Sequence, residues 1–251
     1  MTAGRQVLAG LAGDLLETSS ESDNVGEPGL PREPFSIYQI SERMLYQHTR
    51  LNRDIFNFAL EVISPALTKN TRKGRYQHLT PMHKLYVTLQ FYATGSYQWL
   101  VDNSGRISQS AVSHASTEVT EALVAVSPQF IRFPNARDYS VVKQAFYQLG
   151  LTRHSRGFPK VLGAIDCTHV RIQAPKTAPE QYLNRHLYHS INVQLIVGPD
   201  LTIFNTFTEF PGSNYDSFIW RNSAVRETLA EGTFSEGWLM GTLDIHRNHG
   251  S

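Results

Sequence analysis

Val161-Leu162-Gly163-Ala164-Ile165-Asp166-Cys167-Thr168-His169-Val170-Arg171-Ile172 is the stretch that decides the fold class. The hydrophobic period changes to two here, which predicts a strand. Side-chain alternation puts Asp166, Thr168, Val170 and Ile172 on one face and Cys167, His169 and Arg171 on the other. A second strand follows, in which Ile191, Val193, Leu195 and Val197 alternate with Ser190, Asn192 and Gln194. Gly198-Pro199-Asp200 turns the chain, and Leu201 to Phe210 pairs back as a third strand. After a Pro211-Gly212-Ser213-Asn214 loop, a helix starts near Asp216 with Phe218, Val225 and Leu229 on its inner face. Trp238-Leu239-Met240 begins a fourth strand. Three strands, a helix and a strand make residues 158–241 an α/β unit.

Upstream, residues 36–150 read as all-α. Leu51, Ile55, Phe58 and Val62 step by helical intervals and predict a core-facing stripe. Thr80-Pro81 opens another helix, with Pro at a permitted first position. Its stripe is Met82, Leu85, Leu89 and Tyr92, and Gly95 ends it. A short helix over Ser96 to Asp102, a turn at Asn103-Ser104-Gly105 and a helix from about Ser108 have helix-turn-helix spacing within 81–124. In that geometry Gln109, Ser110, Ser113 and His114 face a DNA major groove. A plain helical hairpin is the alternative. The candidate reading helix carries no Lys or Arg in its first two turns, so phosphate neutralisation has to come from elsewhere.

Residues 1–34 are dominated from Asp14 onward by Ser, Glu, Asp, Gly and Pro and are expected to be a disordered tail. The whole chain has 251 residues with a formal charge of +1, which excludes a strongly basic nucleic-acid coat but not a local patch. A single cysteine, Cys167, excludes an internal disulfide framework and a cysteine-rich zinc site, and fits a reducing compartment. No apolar run approaches the roughly 18 residues of a membrane span. Val7 to Leu16 is interrupted by Asp14 and lacks a basic flank, so no signal peptide is expected and the default location is cytosol or nucleus.

Two acids carry the candidate chemistry. Asp166 lies in a strand whose same-face neighbours become apolar, where a carboxylate needs a cation, a metal or hydrogen bonds. Asp216 follows the Pro-Gly-Ser loop fifty residues later. Taken singly, Asp216 reads as a helix cap and Asp166 as a satisfied structural acid. Taken together, they supply the carboxylate oxygens that hard cations such as Mg²⁺ prefer. Two such ions can activate water and stabilise the leaving oxygen of a phosphodiester. His186 and His189, flanking Tyr188 after Arg185, read as a solvated loop or as metal or phosphate ligands.

Four blocks in order carry a resemblance: Gly163-Ala164-Ile165-Asp166-Cys167-Thr168-His169-Val170, Tyr182-Leu183-Asn184-Arg185, Tyr188-His189-Ser190-Ile191-Asn192-Val193-Gln194, and Pro211-Gly212-Ser213-Asn214-Tyr215-Asp216-Ser217. With them, roughly residues 50–241 resemble the PIF/Harbinger transposase-derived nuclease family. The resemblance implies an RNase H-like DDE nuclease core preceded by a helix-turn-helix region. It implies divalent metal, Mg or Mn, and hydrolysis or transfer at DNA phosphodiesters. Asp166 matches the family's first catalytic aspartate, and Asp216 matches the acid of the Pro-Gly-Ser-x-x-Asp-Ser block, also a metal-ligand position. A Myb/SANT-like DNA-binding partner protein and residence in nucleus and cytoplasm are also implied.

The family pattern continues its last strand into Gly-Asp-x-Gly-Tyr, whereas here Gly241 is followed by Thr242 and a divergent stretch over 242–251. The family's later Glu has no counterpart before Ser251. The expectation is an incomplete core, an altered or prematurely terminated end, and a catalytically impaired endonuclease. The alternatives are a non-enzymatic DNA- or protein-binding module of a domesticated transposase, and a splice product without function of its own.

Overall fold

The computed structural model describes residues 35–68, 79–95, 107–152, 155–231 and 237–241. The chain divides into two compact units between Pro128 and Gln129. The boundary falls earlier than the 150/158 junction expected from composition. Residues 129–157 therefore group with the sheet, because their helix packs on its central strand. The expected tail at 1–34 and the divergent stretch at 242–251 lie outside the described residues.

The first unit holds α1 (Glu42–Thr49), α2 (Arg53–Leu67), α3 (Pro81–Thr94) and most of α4 (Gln109–Phe130). Local chemistry sets their starts. Ser41, Asn52 and Thr80 each accept a hydrogen bond from a backbone N–H of the first turn, satisfying a donor that the helix itself cannot. Pro81 sits in the first turn of α3, and Gly95 closes that helix at φ 61°, as its sequence predicts. Ile37, Leu45, Phe56, Ile63, Leu67, Leu85, Val112 and Val119 form the core. Lys84 Nζ lies 2.5 Å from Glu118 Oε2 and ties α3 to α4.

One expected stripe is corrected here. On α2 the buried residues are Phe56, Ile63 and Leu67, whereas Ile55 and Phe58 are half exposed. The helix is apolar around most of its circumference, and two rows with the same period compete for the core. Phe56-Ile63-Leu67, with Ala59 and Leu60 beside it, wins the side that meets the other helices. On α3, Leu85 is buried with Met82 and Leu89 packed beside it, but Tyr92 is half exposed and Tyr86 and Val87 take its place in the core.

The second unit opens with α5 (Tyr139–Gly150) and a small hairpin of β1 (Leu151–Thr152) and β2 (Ser155–Arg156). Its main sheet contains β3 (Val161–Arg171), β4 (Ser190–Val197), β5 (Ile203–Pro211) and β6 (Trp238–Gly241) in the order β5-β4-β3-β6. β3, β4 and β5 form an antiparallel meander, and β6 pairs parallel to β3. The parallel crossover from β5 to β6 is carried by α6 (Asp216–Arg221) and α7 (Ala224–Ala230). Ser223 caps α7 and splits the single helix expected from Asp216 onward. Ile219 and Val225 are buried under it, while Phe218 is half exposed rather than inward. Gly163 is where β3 passes closest to its neighbours: a Cβ there would lie 2.8 Å from Ile196 Cγ2.

No helix among the described residues is long and apolar enough to cross a membrane.

Candidate active site

β3 positions the first acid. Its N-terminal half is buried, and its C-terminal half opens to solvent from Asp166 onward. Asp166, Thr168 and Val170 are all exposed, so the desolvation that the sequence pattern predicts for Asp166 is absent. Of its apolar face neighbours, Val170 is itself half exposed. Asp166 Oδ1 accepts a hydrogen bond from the Cys167 backbone N–H at 2.9 Å.

The second acid comes from the loop after β5. Gly212 donates its N–H to the Ser190 carbonyl at 2.8 Å, and Ser213 donates to the Gln181 carbonyl at 3.1 Å. These bonds dock the Pro-Gly-Ser turn against β4 and aim α6. Asp216, the first residue of α6, is half-buried there. Asn192 Nδ2 donates to Asp216 Oδ1 at 2.9 Å and to the Asn214 carbonyl at 3.0 Å. One amide thus holds both the acid and the loop that carries it.

The face beneath Asp216 is polar and buried. Register pairs Cys167 with Gln194, His169 with Asn192 and Arg171 with Ser190. Cross-strand partners share a face. Ser190, Asn192 and Gln194 are 0%, 1% and 1% exposed. The loop bearing Asp216 covers this polar side of β4. Asn192 Oδ1 and both amide atoms of Gln194 have no hydrogen-bond partner among the described residues. Ser190 Oγ lies 3.1 Å from His169 Nδ1 and accepts from Asn184 Nδ2 at 2.9 Å.

Electrostatics joins the two acids at one residue. Burial pushes the Cys167 thiol up to about 12, with the charges of Asp216 and Asp166 adding to it and a hydrogen bond to Asp216 as well. A thiol held that high stays protonated at neutral pH and is a poor nucleophile. Asp216 therefore touches Cys167, and Asp166 precedes it on the strand. The Asp166 carboxylate folds back onto the Cys167 N–H, so both carboxylates bear on this residue. Burial lowers the His169 pKa; Asp216 opposes that shift, and Arg185 and His186 add to it. Asn192, Gln194 and Cys167 were not singled out for the site from the sequence. The one available signal was a polar row on an internal strand beside a candidate acid.

Gln109, Ser110 and His114 are exposed on the first turns of α4, and Ser113 is half-buried. Ser108 Oγ caps that helix by accepting from the Ala111 N–H at 3.3 Å. The Ser96–Asp102 helix and Asn103-Ser104-Gly105 turn of the expected helix-turn-helix lie outside the described residues.

Residues 165–242 match the family model described as DDE superfamily endonuclease. The chain is 30% identical over 208 residues to the human protein named "Putative nuclease HARBI1", a match that covers 82% of this chain and 57% of that protein. The Xenopus laevis protein of the same name is 29% identical over 207 residues, with the same coverage. The Arabidopsis thaliana "Protein ALP1-like" is 21% identical over 188 residues, covering 73% of this chain and 44% of that one. The chain thus spans little more than half the length of the curated relatives it matches first. No solved structure matches it significantly. These likenesses agree with the Harbinger-type resemblance of the sequence, and the mixed four-stranded sheet fits the RNase H-like core of such a segment.

Proposed function

We propose, for a chain that is a relative of the Harbinger transposase-derived nucleases and carries a DDE superfamily endonuclease segment, a divalent-metal-dependent hydrolysis of DNA phosphodiesters built on Asp166 and Asp216. The observation that carries this reading is the placement of both acids about Cys167 inside the matched segment. Carboxylate oxygens suit a hard cation such as Mg²⁺ or Mn²⁺, which takes one or two of them and completes its shell with water and substrate phosphate. Among the described residues no three His, Cys, Asp or Glu side chains cluster as ligands. Asp166 and Asp216 are the two acids that would hold a cation here. A cation held there would supply activation of water and neutralisation of charge on the phosphate.

The remaining roles belong to the protein's own groups. Asn192 fixes Asp216 Oδ1 and with it the orientation of the carboxylate. Gln109, Ser110, Ser113 and His114 contact DNA from the start of α4. A Myb/SANT-like partner supplies further DNA affinity, in keeping with the near-neutral charge of this chain. Residence in nucleus and cytoplasm follows from the same reading. Thr242 stands where the family pattern has Asp, so the 1–251 polypeptide cuts slowly.

Plasmid nicking tests this directly. With Mn²⁺ the 1–251 polypeptide should nick supercoiled DNA slowly and EDTA should stop it. Asp166→Ala should lower the rate by about 100-fold or more, in line with loss of a preorganised electrostatic group. An Asp166→Ala protein that nicks at the parent rate would refute the assignment.

A further inference from the structure

We propose that Arg171, Arg185 and His186, gathered around Tyr188 at the end of β3, hold the phosphate backbone of duplex DNA beside Asp216. The inference rests on the DNA-cleaving reading for the identity of the polyanion; the surface itself is built independently of any metal.

The grouping is specific. The Arg171 guanidinium lies over the Tyr188 ring, 4.4 Å from its centroid. The His186 ring stacks near the same Tyr at 6.2 Å with 15° between planes, and Arg185 Nε is 3.3 Å from His186 Nε2. Arg171, Arg185 and His186 are exposed. Among the described residues neither arginine forms an ion pair; those found are Arg53–Glu42 and Lys84–Glu118. A guanidinium seated over an aromatic ring keeps N–H groups for phosphate oxygens.

The loop that presents them is preorganised. Asn184 is 3% exposed, and its Oδ1 accepts from the backbone N–H groups of His186 and Tyr188, at 2.9 and 3.4 Å. The Asn184 N–H donates to the Tyr188 carbonyl at 3.0 Å, and Leu187 turns the tip at φ 61°. Leucine rarely takes that conformation, so the buried asparagine beneath it is needed to hold it.

Position completes the argument. Arg171 shares a strand face with Cys167 and His169, and Asp216 covers that face. Four residues of β3 separate Arg171 from Cys167, about 13 Å at the strand rise. That equals about four base-pair rises of 3.4 Å. A duplex backbone passing over the exposed Tyr188 loop therefore meets the arginines within one half-turn of the strand position that Asp216 overlies.

The test measures binding of a fluorescein-labelled 20-base-pair duplex to the 1–251 polypeptide in EDTA between 50 and 200 mM KCl. Each phosphate contact adds about 0.9 to the slope of log affinity against log salt. Arg171→Gln and Arg185→Gln should each weaken binding about fivefold near physiological salt and reduce the slope by about one. Arg171→Lys and Arg185→Lys should restore most of both, which loss of packing alone would not do. Unchanged melting of the Gln variants separates charge from folding. Parent-like affinity and slope in both Gln variants overturns the proposal, as does a parent chain with no affinity for the duplex. If binding behaves as expected while Asp166→Ala leaves nicking unchanged, the DNA surface stands and the metal-nuclease reading falls.

Discussion

Replacing Thr242 by Asp is expected to raise the Mn²⁺ affinity of the 1–251 polypeptide by at least about tenfold, since added carboxylate charge tunes such sites strongly. The reason lies in the register. β3 and β6 run parallel, with Ala164 opposite Met240 and Ile165 opposite Gly241. Asp166 is the residue after Ile165, and Thr242 is the residue after Gly241. The family pattern has Asp at that step. Restoring it adds the carboxylate that the family pattern carries directly after this paired strand. Titration with Mn²⁺ followed by electron paramagnetic resonance reads the change. Nicking should rise with it, and both gains should vanish when Asp166→Ala is added.

The second large effect is on stability. Gly212→Ala should cost about 3 kcal/mol, near the upper end of ordinary overpacking. A Cβ at residue 212 would lie 2.2 Å from Ser190 Oγ and 2.8 Å from both the Ser190 and the Tyr182 carbonyl oxygens. Ser190 Oγ could rotate away, but the two carbonyl oxygens belong to backbone. Relief therefore means undocking the turn and losing the Gly212–Ser190 hydrogen bond. A melting temperature lowered by roughly 10 °C is expected for the sheet unit. Because the same turn aims Asp216, metal affinity should fall even below that temperature. A variant with parent melting and parent Mn²⁺ affinity would show that the loop accommodates the methyl group.

The sheet was legible because period-two patterning survives wherever one face is buried. Val161–Arg171, Ser190–Val197 and Ile203–Pro211 lie where the alternation and the Gly198-Pro199-Asp200 turn place them. Helix ends were legible for a similar reason: Thr80, Pro81 and Gly95 have local effects that tertiary packing does not override. Facing was harder. Ile55 and Phe58 share the period of Phe56 and Ile63, and only the neighbouring helices decide which row is buried. The same limit applies to Phe218 and Ile219 on a short helix.

At the site, the two acids stood out as residue types in an ordered motif set, but their surroundings did not. Asp166 is exposed because the strand outruns its cover, a property of where helices end rather than of its own neighbours. Asn192 and Gln194 alternate with apolar residues, a pattern that usually belongs to a sheet with one solvated face. The Asp216 loop reverses that. Nothing in the local sequence says that residues 211–216 will lie over residues 190–194; the Gly212–Ser190 and Asn192–Asp216 hydrogen bonds are long-range facts.

Mn²⁺ affinity measured through a double-mutant cycle of Asp166→Ala and Asp216→Ala probes the pairing of these acids most directly. Ligands of one ion are coupled, so each single substitution should weaken binding about tenfold or more, and the double should be little worse than the poorer single. Independent, multiplying losses, or an Asp216→Ala protein that binds Mn²⁺ like the parent, would contradict a shared cation.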